Sequence, residues 1–281
     1  MALRPRARLT LVLLAVLSVL LAGGCADSTG PPPAAPPAVT SPSIPPSGPG
    51  PGRPAVVVGL GDSVTSGSAC DCTTFVQLYA AQLPTLDGGP GRAINLGKPG
   101  TTSVDLLTDL HHDATTRTDV ASADTVLVTI GANDLVPLLK QWLATDCDNT
   151  CYDGAVAAVG RRIGEIVRQI QQLRGARSTQ ILVTDYWNVF ADGEVGRQKH
   201  GAAYLRWSAR LTLALNARLC SSAAAAGARC VDLYAPFKGD TGEHDPTALL
   251  AGDGDHPDAA GHQLIASTLL AATTNRLPMA P

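Results

Sequence analysis

The sequence is poor in aromatic residues, in methionine and in charge. Phe, Trp and Tyr make up 4% of its 281 residues, Met occurs twice, and Asp, Glu, Lys and Arg together reach 16%. So few rings give little sign of a surface on which sugars would stack. The net charge is −3, so no basic excess recommends a nucleic acid as partner. No internal repeat is visible, which sets solenoids and propellers aside. At this length the chain holds one or two domains.

The first fifth is not domain. Arg4, Arg6 and Arg8 precede an apolar run from Leu9 to Ala22, broken only by Thr10 and Ser18. A basic start followed by an apolar run too short for a comfortable membrane span reads as an export signal, with an uncleaved anchor as the alternative. Leu21-Ala22-Gly23-Gly24-Cys25 resembles a bacterial lipobox, although Ala22 stands where a larger aliphatic residue is usual. Seven cysteines favour the same reading: setting Cys25 aside leaves an even set, Cys70, Cys72, Cys147, Cys151, Cys220 and Cys230. The expectation is an exported chain, lipid-anchored through Cys25 to the outer face of the cell membrane, or otherwise secreted. Residues 26–54 hold 11 of the 21 prolines and only Asp27 and Arg53 as charges. Such a segment buries too little apolar surface to offset its ordering entropy, so it reads as a disordered spacer or a tail without a role.

Residues 55–275 fit one α/β domain. Five short apolar runs read as strands: Ala55–Leu60, Ala93–Leu96, Thr125–Ile130, Gln180–Asp185 and Cys230–Leu233. Between them lie helical patterns. One runs from Phe75 to Leu83 and is closed by Pro84. The next is capped by Thr102 or Ser103, with Val104, Leu106, Leu107 and Leu110 as its apolar stripe. Longer ones run from Gly154 to Leu173, from Ala203 to Ala225 and from Asp258 to Ala272. Strands apolar on both faces and alternating with helices argue for a parallel sheet covered on both sides, with ligands beyond the carboxyl ends of its strands.

The residues with chemistry fall at those ends. Ser63 follows the first strand, Gly100 the second and Asn133 the third, while Asp253 and His256 lie in the loop before the last helix. A serine hydroxyl is a poor nucleophile until a base takes its proton. His256 is the base, and Asp253 is the preferred carboxylate to orient it, with Asp255 as the rival. The backbone N–H groups of Ser63 and Gly100 and the side-chain amide of Asn133 would receive the oxyanion.

These residues stand in four ordered blocks: Gly61-Asp62-Ser63, Asn95-Leu96-Gly97-Lys98-Pro99-Gly100, Gly131-Ala132-Asn133-Asp134 and Asp253-Gly254-Asp255-His256-Pro257. In this the chain resembles the SGNH/GDSL hydrolases over the whole folded body, departing at Val64, where many members carry leucine. Its exported, lipobox-bearing form is similar to actinobacterial lipoproteins. The resemblance implies a flavodoxin-like three-layer α/β/α sandwich around a five-stranded parallel sheet. It also implies a serine esterase or lipase that works through an acyl-serine and needs no metal or other cofactor. Asp62 and Asp134 read either as supports of the motif or as ordinary cap and turn residues. The expected partner is a small-molecule or lipid ester, and the expected state a monomer. The scarcity of rings leans the choice toward acyl esters or lipids, with O-acetyl groups on glycans as the alternative.

Cys220 and Cys230 bracket one helix-to-strand connection and are the surest disulfide. Cys70, Cys72, Cys147 and Cys151 pair locally, cross between loops or, less favoured in an exported chain, bind zinc. Tyr186, Trp187 and Phe190 are candidates for the wall of an acyl pocket. His262 reads as structural, and the segment from Phe237 to Leu250 as a loop that shapes or covers the pocket.

Overall fold

The computed structural model describes residues 54–83, 90–145 and 151–274. The readings of the export signal, Cys25, the proline-rich segment, Pro84 and Cys147 fall outside these residues. Among the described residues, no helix is long and apolar enough to cross a membrane.

The chain forms one five-stranded sheet of β1 (Val56–Gly61), β2 (Arg92–Asn95), β3 (Thr125–Thr129), β4 (Gln180–Thr184) and β5 (Arg229–Val231). The order is β2-β1-β3-β4-β5 and every pair is parallel. All six residues of β1 and all five of β3 are buried, as strands covered on both faces must be. The order reverses between β1 and β3, and a sheet of this kind opens its ligand crevice at such a switch point.

Nine helices surround the sheet among the described residues: α1 (Ser63–Ser66), α2 (Phe75–Gln82), α3 (Ser103–His112), α4 (Ala114–Ser122), α5 (Val136–Thr145), α6 (Asp153–Arg174), α7 (Gly193–Ala225), α8 (Tyr234–Lys238) and α9 (Ala259–Thr274). Helix α2 packs on α9, and α6 packs on α3, α4 and α7. Helix α6 buries Val156, Val159, Ile163, Ile166, Val167 and Ile170, the stripe its sequence spacing predicts.

Three expectations need correction. Helix α3 begins at Thr102, whose side chain accepts from the Asp105 N–H, but its buried stripe is Ser103, Leu106 and Leu110, and Val104 is 47% exposed. Ser103 displaces Val104 because its hydroxyl finds a buried partner, described below. Helix α7 begins ten residues before the expected start. Asp192 caps it at Gly193, and it continues through a break at Gly201, whose φ of 80° only glycine adopts readily. The stretch from Phe237 to Leu250 holds the end of α8 and a 3₁₀ turn at Pro246–Leu249 instead of being wholly loop.

Candidate active site

Strand β1 ends on Gly61, with φ of 149°. A Cβ there would collide with the Thr129 carbonyl of the neighbouring strand, so only glycine lets the chain leave the sheet at this point. Asp62 follows in extended conformation and caps α1: its Oδ1 accepts the Val64 N–H at 3.0 Å. Its Oδ2 accepts the Tyr186 hydroxyl at 2.9 Å. Ser63 opens α1, half-buried at the switch point. The Asn95 amide donates to the Thr65 carbonyl at 2.7 Å, tying the end of β2 to this short helix.

Asp62 is 1% exposed. Burial pushes its carboxyl up from 3.8 to about 6, against the hydrogen bonds from Tyr186 and Val64. The unfolded chain therefore releases this proton at lower pH than the folded one. Stability falls as pH rises through the window from 3.8 to about 6, and the loss is complete above it. At 1.36 kcal/mol per unit the burden is about 3 kcal/mol at most. Asp62→Asn keeps an acceptor for the Val64 N–H, and the Tyr186 hydroxyl can turn to accept from the new amide. The expected outcome is a variant that gains stability over wild type near pH 8 and gains little near pH 4, read by denaturant unfolding. An equal change at both pH values would contradict the assignment.

The second and third blocks are bound to each other. Asn133 opens a 3₁₀ turn after β3, and its Nδ2 donates to the Thr101 carbonyl at 3.0 Å. Asp134 receives the Ser103 N–H at 2.8 Å, the Ser103 hydroxyl at 2.6 Å and the Arg162 guanidinium at 3.2 Å. Asp134 thus holds the start of α3 against the end of β3, a motif-supporting role. Gly100 sits in the β2–α3 connection with φ of 79°, and a Cβ built there meets nothing within 4 Å. It faces open space next to the residue that Asn133 holds.

The fourth block turns on itself. Asp253 Oδ1 accepts the N–H groups of Asp255 and His256 at 2.9 and 3.1 Å, and its Oδ2 lies 2.6 Å from His256 Nδ1. Burial works to raise the Asp253 carboxyl, but the His256 ring and the two backbone donors outweigh it and hold it below the ordinary value. With Nδ1 engaged, Nε2 is the free nitrogen of His256. Gly254, at φ of 75°, makes the turn, and its carbonyl accepts the Asp192 N–H at 2.7 Å at the start of α7. Asp192 also receives Lys238 Nζ at 2.6 Å in a buried ion pair. Asp253, not Asp255, is therefore the partner of His256. The Asp255 carboxyl lines the cavity instead, raised by burial to about 6, with His256 opposing the shift and Asp253 adding to it.

Ser63, Asn133 and His256 line one cavity of about 60 Å³, together with Asp62, Asp255 and the segment Tyr186–Phe190. Gly100 is not among its lining residues. The aromatic wall is built in depth: Trp187 stacks on Phe237 at 4.3 Å, and Phe190 stacks on Trp207, which in turn stacks on Trp142. Seven of the chain's eleven Phe, Trp and Tyr rings belong to this cluster, so the low overall content says little about the site. No residue of the segment from Phe237 to Leu250 lines the cavity directly, and Phe237 shapes it from behind Trp187.

A serine at the switch point of a parallel sheet, lining one small cavity with a carboxylate-bound histidine, is an arrangement of α/β hydrolytic enzymes. The match to a family model narrows this. The GDSL-like Lipase/Acylhydrolase family model covers residues 60–264, and the chain is a member of that family, a carboxylic ester hydrolase. Solved structures agree on the fold. A lipase from a goat rumen metagenome is 20% identical, with a TM-score of 0.65 over 79% of this chain and 99% of that one. A lipase/acylhydrolase from Enterococcus faecalis is 20% identical, with a TM-score of 0.52 over 81% and 99%. A catalytic mutant of an acetylxylan esterase from Geobacillus stearothermophilus is 18% identical, with a TM-score of 0.55 over 78% and 94%. No curated protein matches the chain in sequence.

Tyr186, Ser103 and Arg162 were not predicted as partners of the two motif aspartates. Ser103 carried no signal, because hydrophobicity marks Val104 as the residue to bury. Arg162 carried none, because nothing in its local pattern ties it to Asp134.

Proposed function

We propose that the chain hydrolyses small carboxylic esters with short acyl groups through an acyl-serine intermediate. The observation that carries this reading is the convergence of Ser63, Asn133 and the Asp253-bound His256 on one cavity of about 60 Å³. Ser63 Oγ attacks the ester carbonyl and gives its proton to His256 Nε2. The Asp253 carboxylate holds the ring by Nδ1 and stabilises the imidazolium. The oxyanion is received by the Ser63 N–H and by the Asn133 amide, whose second hydrogen is not used by Thr101, and the Gly100 N–H, outside the cavity lining, is the third donor that the sequence motif suggests. His256 then protonates the departing alcohol, and water, activated by the same ring, releases the acid.

Asn133→Ala removes one pre-aimed donor without touching nucleophile or base. Turnover is expected to fall about 10²–10³-fold with a small change in KM. A fall below about threefold would remove Asn133 from the oxyanion site.

The cavity is far smaller than the roughly 300–1,000 Å³ of pockets that engulf drug-sized ligands. Trp187 and Phe190 line it, and both are backed by further rings, so it has little room to deepen on that side. A series of p-nitrophenyl esters is expected to peak at acetate or propionate and to fall steeply by octanoate. A peak at octanoate or beyond would overturn the short-acyl reading and favour a lipase. An O-acetylated glycan is the alternative substrate, and an acetylated polysaccharide belongs in the same assay. Faster release of acetate from the polysaccharide than from p-nitrophenyl acetate would favour it.

Export, and lipidation at Cys25, complete the proposal, supported by the basic–apolar start and the lipobox-like Leu21–Cys25. Intact mass of membrane-extracted protein tests it: a diacylglyceryl-modified Cys25 at the mature N-terminus is expected, and an unmodified start beyond Cys25 would contradict it.

A further inference from the structure

Just beyond the proposed nucleophile the chain carries two cysteines with one residue between them. Cys70 and Cys72 are joined in a disulfide. A bridge that spans so few residues removes little freedom from the unfolded chain, and it contributes less as a staple than Cys220–Cys230, whose partners are ten residues apart. It is also accessible. Cys70 and Cys72 are half-buried, and Ala69, Asp71 and Thr73 beside them are exposed.

A buried histidine stands against this bridge. One ring nitrogen of His262 and both sulfurs lie within 4.8 Å of one another. His262 is 0% exposed. Its Nδ1 accepts the Phe75 N–H at 3.2 Å, so in the neutral ring the proton is on Nε2. Burial keeps the ring neutral by lowering its pKa to about 4, with Asp258 opposing and His256 reinforcing the shift. Nε2 has no hydrogen-bond partner, and it lies 4.0 Å from the Cβ position of Gly67, in the loop that leads to Cys70. A buried donor without an acceptor is rare and calls for an explanation. The trio has the composition of a metal site, but a protonated Nε2 offers no lone pair to a cation.

We propose that Cys70–Cys72 is a thiol–disulfide exchange site, opened by dithiol reductants, in which the His262 Nε2–H is the built-in donor to the released thiolate. A reductant thiolate attacks one sulfur and forms a mixed disulfide, while the other sulfur leaves as a thiolate beside Nε2. The second thiol of the reductant then displaces the mixed bond and closes the reductant into its own disulfide. Two electrons and two protons pass from the dithiol to the cysteine pair. Asp71, exposed between the sulfurs, opposes thiolate formation, and the Nε2–H supports it. The site stands independently of the ester-hydrolase mechanism.

The test is a dithiothreitol titration of the full native chain, with open thiols trapped by iodoacetamide and located by peptide mass. Cys70 and Cys72 are expected to open at a dithiothreitol concentration at least tenfold below that which opens Cys220 and Cys230. In the reduced chain, their alkylation rate is expected to rise with a midpoint about one unit below the ordinary cysteine value of about 8.5. His262→Phe, which keeps a ring against Phe75 and removes the donor, is expected to move that midpoint upward. If that variant does not fold, the wild-type midpoint decides alone. Opening of both bridges together, a wild-type midpoint at or above about 8.5, or an unmoved midpoint in folded His262→Phe would overturn the proposal.

Discussion

Ser63→Ala is expected to lower kcat for p-nitrophenyl acetate by a factor on the order of 10⁴–10⁶, with unfolding and KM close to wild type. The size follows from what the substitution removes. The hydroxyl is the only atom lost, and the Ser63 N–H remains to meet the carbonyl oxygen. The loop keeps its bracing, because the bonds that hold it run through the Ser63 carbonyl, which accepts the Ser68 N–H and the Ser66 hydroxyl at 3.0 Å each. What disappears is the acyl-serine route itself. The residual rate would be that of water attacking an ester held by the oxyanion donors. A variant as fast as wild type would exclude this mechanism.

His256→Ala is expected to cost a similar factor, on the order of 10⁴–10⁶ in kcat. Without the ring, the Ser63 hydroxyl keeps its proton and the leaving alcohol receives none. Asp253 cannot substitute, since its Oδ1 is held by two backbone N–H groups and its Oδ2 points at the ring that has gone. The two losses are expected not to multiply. Residues that act as one unit are grossly non-additive, so Ser63→Ala/His256→Ala should be no slower than Ser63→Ala by more than a few-fold. A double variant slower by the product of both factors would mean that serine and histidine serve separate steps. The fold loses little in either case, because the Leu250–Pro257 bridge and the Ala251 N–H to His256 carbonyl bond, which set the loop, are backbone contacts.

Much of this architecture is legible in the amino acids. The strands of a parallel sheet are continuous apolar runs, and Val56–Leu60 and Thr125–Ile130 have no other comfortable state. The glycine that ends β1 and the aspartate before Ser63 announce the turn. The choice of Asp253 over Asp255 follows from the divergence of adjacent side chains, and the 2.6 Å contact to His256 agrees with it. The exchange between Ser103 and Val104 was not legible. Hydrophobicity alone buries the valine, and only the tertiary partner Asp134 reverses the order. The start of α7 was hidden because Gly193, Gly196 and Gly201 are poor helix formers, whereas the Asp192 cap and the contact with Gly254 hold the helix start. Composition misled in one respect: an average over the chain cannot reveal that seven of its eleven rings lie at or behind one cavity.

The central claim is that Ser63 is activated as a nucleophile by the Asp253-bound His256. A serine-directed fluorophosphonate probe, followed by peptide mass mapping of the intact enzyme near pH 8, tests it most directly. The account predicts one stoichiometric adduct on Ser63, absent in Ser63→Ala and strongly slowed in His256→Ala. An unlabelled Ser63 in active wild-type enzyme, or equal labelling with and without His256, would contradict it.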